Sequence, residues 1–216
     1  MQDRGSQLVS QIFLNTAAGE LQSEVLSWLD MCAGPGGKAS AIYTSLRETR
    51  GNDRFTANEP SEHRARLLSH VIPGDNIIVH TGQELPAFDL RFDRILIDAP
   101  CTGLGALRRR PEARWRRTPQ DLKELVKLQK ELLAAGLELL QPGGILAYVT
   151  CSPHLLETKA QVLEVLHRHK ELELLDIRAY LPAEVPDRVV TEDGTLQLWT
   201  HRDDADSMFM ALFKRK

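Results

Sequence analysis

No apolar run in this chain approaches the ~20 residues needed to cross a bilayer, and Met1–Ser10 has no apolar core of the kind a secretory leader carries. Cysteine is scarce: Cys32, Cys101 and Cys151 stand far apart, with no C-x-x-C pair. An odd number at such spacing excludes a disulfide framework and a thiolate zinc site. Reduced thiols in a cytoplasmic protein are the expectation. Basic charge is not in excess either. The formal net charge is −3, which excludes a uniformly basic coat but leaves room for a local basic patch. Internal repeats and low-complexity segments are absent. What remains is an ordinary globular composition, 42% hydrophobic and 26% charged, over 216 residues, enough for one domain with a full core.

Apolar runs alternate with amphipathic stretches, the pattern of an α/β fold with a largely parallel sheet. The pattern predicts a lead-in helix over Ser6–Leu14 and strands over Val25–Met31, Arg54–Asn58, Asn76–His80, Phe92–Asp98 and Ile145–Thr150. Helices are predicted from Gly36 to Arg47, from a Ser61 cap to about Val71, from a Thr118 cap to about Leu140, and over His154–His169. Gln141–Gly144 (QPGG) is read as the stop of the long helix, and Ser207–Phe213 as a final edge strand.

Three strand ends carry the residues with chemistry. After the first strand comes LDMCAGPGGK (Leu29–Lys38), a glycine-rich turn into a helix N-terminus. Such a turn lets backbone approach a ligand closely and presents free N–H groups. It is not a phosphate loop, because Cys32 stands where the first glycine belongs and Ala39 where a hydroxyl would hold magnesium. Nor does the spacing of Gly34, Gly36 and Gly37 fit the dinucleotide fingerprint. Glu59 ends the second strand, where a carboxylate is placed to grip ribose hydroxyls. Cys101 follows the fourth strand three residues after Asp98, and Cys151 follows the fifth. A single cysteine there reads more simply as core. Two at neighbouring strand ends favour thiol chemistry, without deciding which sulfur attacks.

LDMCAGPGGK, DRILIDAPCTGLG (Asp93–Gly105) and YVTCSP (Tyr148–Pro153), in this order and spacing, resemble the signature motifs of the Sun-type RNA (cytosine-5)-methyltransferases, bacterial members of which act on 16S ribosomal RNA. The similarity runs along nearly the whole chain. It implies a class I methyltransferase (Rossmann-like) fold, a mostly parallel seven-stranded sheet with helices on both faces. It implies one catalytic domain over residues 1–216, without the N-terminal RNA-binding helical domain of the family. The implied cofactor is S-adenosylmethionine, with no metal. Cys32, Ala33, Gly34, Pro35, Gly36, Gly37 and Lys38 match the cofactor loop, and Glu59 matches the acidic ribose binder. Thr81-Gly82 stands where the family usually has Asp-Gly, so a hydroxyl replaces the carboxylate at the adenine end. The implied roles are nucleophile for Cys151, assistance to product release for Cys101, and for Asp98 a hydrogen bond to the cytosine ring close to the cofactor.

Next to the Asp98–Cys101 motif lies RRRPEARWRR (Arg108–Arg117), holding six of the 27 basic residues. Arg108, Arg109, Arg110, Arg114, Arg116 and Arg117 are candidates for RNA phosphates, and Trp115 for stacking on a base or for packing under the loop. The competing reading of such a run is a solvated helix entry. His201–Asp206 also resembles the family but receives no role. Two rival functions stay open at this point. A DNA or small-molecule methyltransferase would need neither Cys151 nor the arginines, and a non-catalytic RNA-binding module would show no thiol chemistry.

Overall fold

A computed structural model describes residues 2–18 and 24–216. The chain opens with helix α1 (Arg4–Asn15), capped by the Asp3 carboxylate, which accepts from the Gly5 N–H. Strand β1 (Ser27–Asp30), helix α2 (Gly37–Thr49) and strand β2 (Arg54–Asn58) follow. Helix α3 (Glu62–Leu68) starts at the predicted Ser61 cap but ends after about two turns rather than reaching Val71. Strand β3 is only Ile77–Ile78. Strand β4 (Phe92–Asp98) has the predicted bounds. A short helix α4 (Ala113–Arg116) precedes α5 (Pro119–Leu139), which begins at Thr118 with its hydroxyl on the Asp121 N–H and Pro119 in the first turn. Strand β5 (Leu140–Thr150), helix α6 (Lys159–Arg168), strands β6 (Leu172–Leu175) and β7 (Leu196–Gln197), helix α7 (Thr200–Asp203) and strand β8 (Phe209–Arg215) complete the chain.

The sheet order is β3-β2-β1-β4-β5-β8-β6, with β7 pairing β8 beyond β6. Among the described residues the sheet therefore has eight strands in seven positions, since β6 and β7 share one edge of β8. The five strands β1 to β5 run parallel, and β8 runs antiparallel between β5 and β6. Three expectations change here. The last strand is interior rather than an edge, and its first five residues are buried, as a strand covered on both faces must be. Strands β6 and β7 lie in stretches the pattern left unassigned. Gln141–Gly144 does end α5, but as an out-bulge within β5, where Phe92 pairs Leu140 and Arg94 already pairs Ile145.

Alternation along the strands divides the core in two. Trp28, Leu96, Ala147, Val149, Met210 and Leu212 face α1 and α2, meeting Val9, Phe13, Ile42 and Leu46. Leu29, Ile95, Ile97, Leu146, Tyr148 and Phe213 face α5 and α6, meeting Leu132, Leu133 and Val165. The helices thus cover both faces, and the parallel strands deliver Asp30, Asp98 and Thr150 to one edge. That edge is where open α/β sheets bind ligands.

Candidate active site

Along that edge runs a cleft of about 720 Å³, within the roughly 300–1,000 Å³ of small-molecule and cofactor sites. Its walls bring together residues from each predicted motif: Cys32, Gly34, Pro35, Glu59, Thr81, Asp98, Cys101 and Cys151, with Arg110 and Arg117 at one side.

The glycine turn is built for close approach. Gly36 sits at φ +112°, a conformation side-chain-bearing residues rarely adopt. A Cβ on Gly34 would lie 2.2 Å from Glu59 Oε2, so any side chain there would displace that carboxylate. Glu59 is almost fully buried. Its Oε2 accepts from the Gly34 N–H at 3.1 Å, its Oε1 accepts from the Ser61 N–H at 3.0 Å, and Arg64 pairs with it at 3.3 Å. Arg64, which the sequence reading passed over, also donates to the Gly34 carbonyl. Glu59 therefore organises the loop as well as lining the cleft. The Thr81 hydroxyl donates to Glu84 Oε2 at 2.8 Å.

Lys38 does not line the cleft. It comes off the first turn of α2 and donates to Asp98 Oδ2 at 2.7 Å, which fixes the end of β4. Burial alone would push the Lys38 ammonium down, but the Asp98 charge outweighs it and holds its proton more firmly than usual. Asp30, also missed from sequence, lies beneath. It is 1% exposed and its Oδ2 has no hydrogen-bond partner among the described residues. Burial first, and the Asp98 charge second, push its carboxyl up to about 7.

Cys101 and Cys151 meet at the cleft floor with Sγ atoms 3.3 Å apart. The contact separates their acidities. The hydrogen bond from Cys101 holds Cys151 below the usual thiol range, with the Lys38 charge acting the same way. The same hydrogen bond pushes Cys101 well above that range, helped by burial and by the Glu157 charge. Cys32 is raised by burial and by neighbouring carboxylates, an inert setting for a thiol.

The arginine segment splits. Arg108 pairs with Asp204 at 2.7 Å and Asp3 at 3.3 Å, and Arg109 pairs with the buried Asp206. These contacts give the unassigned Asp204 and Asp206 a part, anchoring the segment to α1 and to the approach to β8. Arg110, Arg114 and Arg116 are exposed and form no ion pair among the described residues. Arg117 donates to the Thr102 carbonyl at 3.2 Å. Trp115 is 83% exposed, with the Arg114 guanidinium 5.6 Å from its ring, so it does not pack under the loop.

A cofactor with a sugar and a charged tail suits this edge on three grounds: the cleft volume, a turn in which Gly34 lies too close to Glu59 for a Cβ, and the buried Asp30 oxygen that has no hydrogen-bond partner among the described residues.

Rv1407 of Mycobacterium tuberculosis is 44% identical over 216 residues, covering 100% of this chain and 46% of that protein. Ribosomal RNA small subunit methyltransferase B of Yersinia pseudotuberculosis is 33% identical over 199 residues, covering 87% of this chain and 42% of that protein. The chain thus spans less than half the length of these curated relatives. The crystal structure of NSun6 from Pyrococcus horikoshii with SFG superposes with a TM-score of 0.79 at 22% identity, over 99% of this chain and 52% of that one, which shows the shared fold. The profile of the family described as 16S rRNA methyltransferase RsmB/F matches residues 16–214, and the chain belongs to that family.

Proposed function

We propose that this domain transfers a methyl group from S-adenosylmethionine to carbon 5 of a cytidine in RNA, with 16S ribosomal RNA as the substrate. The observation that carries the reading is the sulfur pair, 3.3 Å apart on the cleft floor beside the Lys38–Asp98 ion pair. Cytosine C5 is a poor nucleophile until a group adds at C6. Cys151, whose acidity is enhanced, adds as thiolate to C6, forming a sulfur–carbon bond and moving electron density to C5. The cofactor, when bound, supplies the electrophilic methyl group. After C5 is methylated, water takes the C5 proton, and the sulfur–carbon bond breaks with its electron pair staying on the Cys151 sulfur. Cys101 keeps its proton and assists that release by donating its hydrogen bond to the departing thiolate. Asp98, held by Lys38, orients the cytosine ring.

The cofactor is held by Cys32–Gly37, with Glu59 toward the ribose and Thr81 toward the adenine, while Lys38 acts on the site through Asp98. Arg110, Arg114, Arg116 and Arg117 take backbone phosphates at the cleft mouth, and the exposed Trp115 stacks on a base. Arg108 and Arg109 hold the segment in place. The test is to incubate the protein with labelled S-adenosylmethionine and unmodified ribosomal RNA, then map the label. Label in 5-methylcytosine supports the reading, and label at any other atom or none overturns it.

A further inference from the structure

We propose that Glu157 is a positioning residue for the two thiols, because its buried carboxylate ties together the residues that follow each cysteine. The inference rests on the thiol mechanism above and concerns a residue outside the cleft. Glu157 is 0% exposed, in the short turn between the Cys151 loop and α6. Its Oε1 accepts from the Thr102 N–H at 2.8 Å and from Gln129 Nε2 at 3.1 Å. Its Oε2 accepts from the Thr102 hydroxyl at 2.5 Å. A hydroxyl has one proton to give, so Thr102 Oγ1 faces Ser152 Oγ, 3.2 Å away, as the acceptor. The chain of donors runs Ser152 to Thr102 to Glu157. Thr102 follows Cys101, and Ser152 follows Cys151. Gln129 closes the frame from α5, since the same Nε2 also donates to the carbonyl of Pro100, the residue before Cys101, at 2.9 Å.

Three donors and no cation among the described residues surround this carboxylate. It therefore does two things. It fixes the separation of two loops that start on different strands, and it places a negative charge on the Cys101 side of the pair. That charge favours the protonated Cys101. A passive packing residue at this position would need neither length nor charge.

The protein carries its own control, because Cys32 lies in the other wall of the cleft. Measure alkylation by iodoacetamide at low conversion against pH, scoring each cysteine peptide by mass spectrometry, in the parent, Glu157→Gln and Thr102→Val. Glu157→Gln should move the Cys101 midpoint down by about one pH unit and leave Cys32 where it was. It should lower kcat for RNA methylation roughly tenfold or more, with KM for S-adenosylmethionine unchanged. Thr102→Val retains the charge and the backbone bond but cuts the link to Ser152. It should alter Cys151 alkylation and kcat while leaving the Cys101 midpoint close to the parent's. Parental thiol profiles in both variants overturn the proposal, and so does a shift of Cys32 in step with Cys101, which marks general loosening. A parent that alkylates as described but methylates no RNA counts against the proposed reaction alone.

Discussion

The sulfur of Cys101 lies 3.3 Å from that of Cys151 across the ends of β4 and β5, and the contact treats the two thiols unequally. Removing each should therefore have a different result. Cys151→Ala should give no methyl transfer and no covalent RNA adduct. Cys101→Ala should leave the attack on C6 but stall release, so protein and methylated RNA remain joined as a slow band on a denaturing gel. The double variant should show no band. An adduct in Cys151→Ala and none in Cys101→Ala would exchange the two roles.

The same contact sets a pH dependence. A thiol held below its usual range becomes thiolate at lower pH. The largest cause of that lowering is the hydrogen bond from Cys101. In Cys101→Ala, alkylation of Cys151 should need higher pH than in the parent. A midpoint that stays put or falls would mean Cys101 does not activate its neighbour.

At Gly34 an added methyl group would meet Glu59 Oε2 at 2.2 Å, whereas at Gly74 it would meet nothing within 4 Å. Gly34→Ala should displace the Glu59 carboxylate and weaken S-adenosylmethionine binding by about tenfold or more in calorimetric titration, about 1.4 kcal/mol per tenfold. Gly74→Ala should leave affinity unchanged. Gly36→Val should abolish binding, because its backbone sits at φ +112° and the branch would crowd Val71 and Leu68.

The two halves of the arginine segment should separate in experiment. Replacing Arg110, Arg114 and Arg116 together with Ala should weaken RNA binding across sequences. It should reduce the slope of log affinity against log salt by about 2, at roughly 0.7 per single-strand phosphate contact. Replacing Arg109 instead leaves the buried Asp206 without its cation. Because Arg109 is nearly half exposed, water softens that loss, and a fall in stability of about 1–3 kcal/mol is expected in urea unfolding. Its salt slope should stay close to the parent's.

Asp30 makes stability fall toward higher pH. Its carboxyl is raised from 3.8 to about 7 in the folded protein, so folding favours the protonated form. That contribution is complete below pH 3.8, declines as pH rises, and is gone above about 7. The Asp98 and Glu59 charges act with burial, while Lys38 opposes them. Asp30→Asn, which cannot ionise, should flatten the change in urea midpoint between about pH 4 and 7. An undiminished slope in the variant would place the dependence elsewhere.

Much of this site is legible in the sequence because strand ends and glycine turns are local signals. FDRILID reads as β4 with the observed bounds, and Thr118-Pro119 marks the start of α5. Where the pattern fails, the determining contact is distant in sequence. Leu172–Leu175 is a strand because β8 lies beside it, some 40 residues on, and four residues carry too little periodicity to announce it. The unbroken apolar run Met208–Phe213 did hold the clue to a doubly covered strand. Arg108 and Arg109 looked like Arg110 until the fold brought Asp3, Asp204 and Asp206 to them. Nothing around Glu157 distinguishes it from a surface glutamate until Thr102 and Gln129 close over it.

Because β8 lies between β5 and β6, its loss would not fray one margin of the sheet but split it. β5 would become a long unpaired apolar edge, and β6 would have no partner. Exposed edges of that kind recruit strands from other molecules. Truncations or frameshifts that remove Phe209–Arg215 should therefore accumulate as aggregates rather than as a weakened enzyme. The same antiparallel strand that completes the core also keeps the edge of the longest strand, β5, covered.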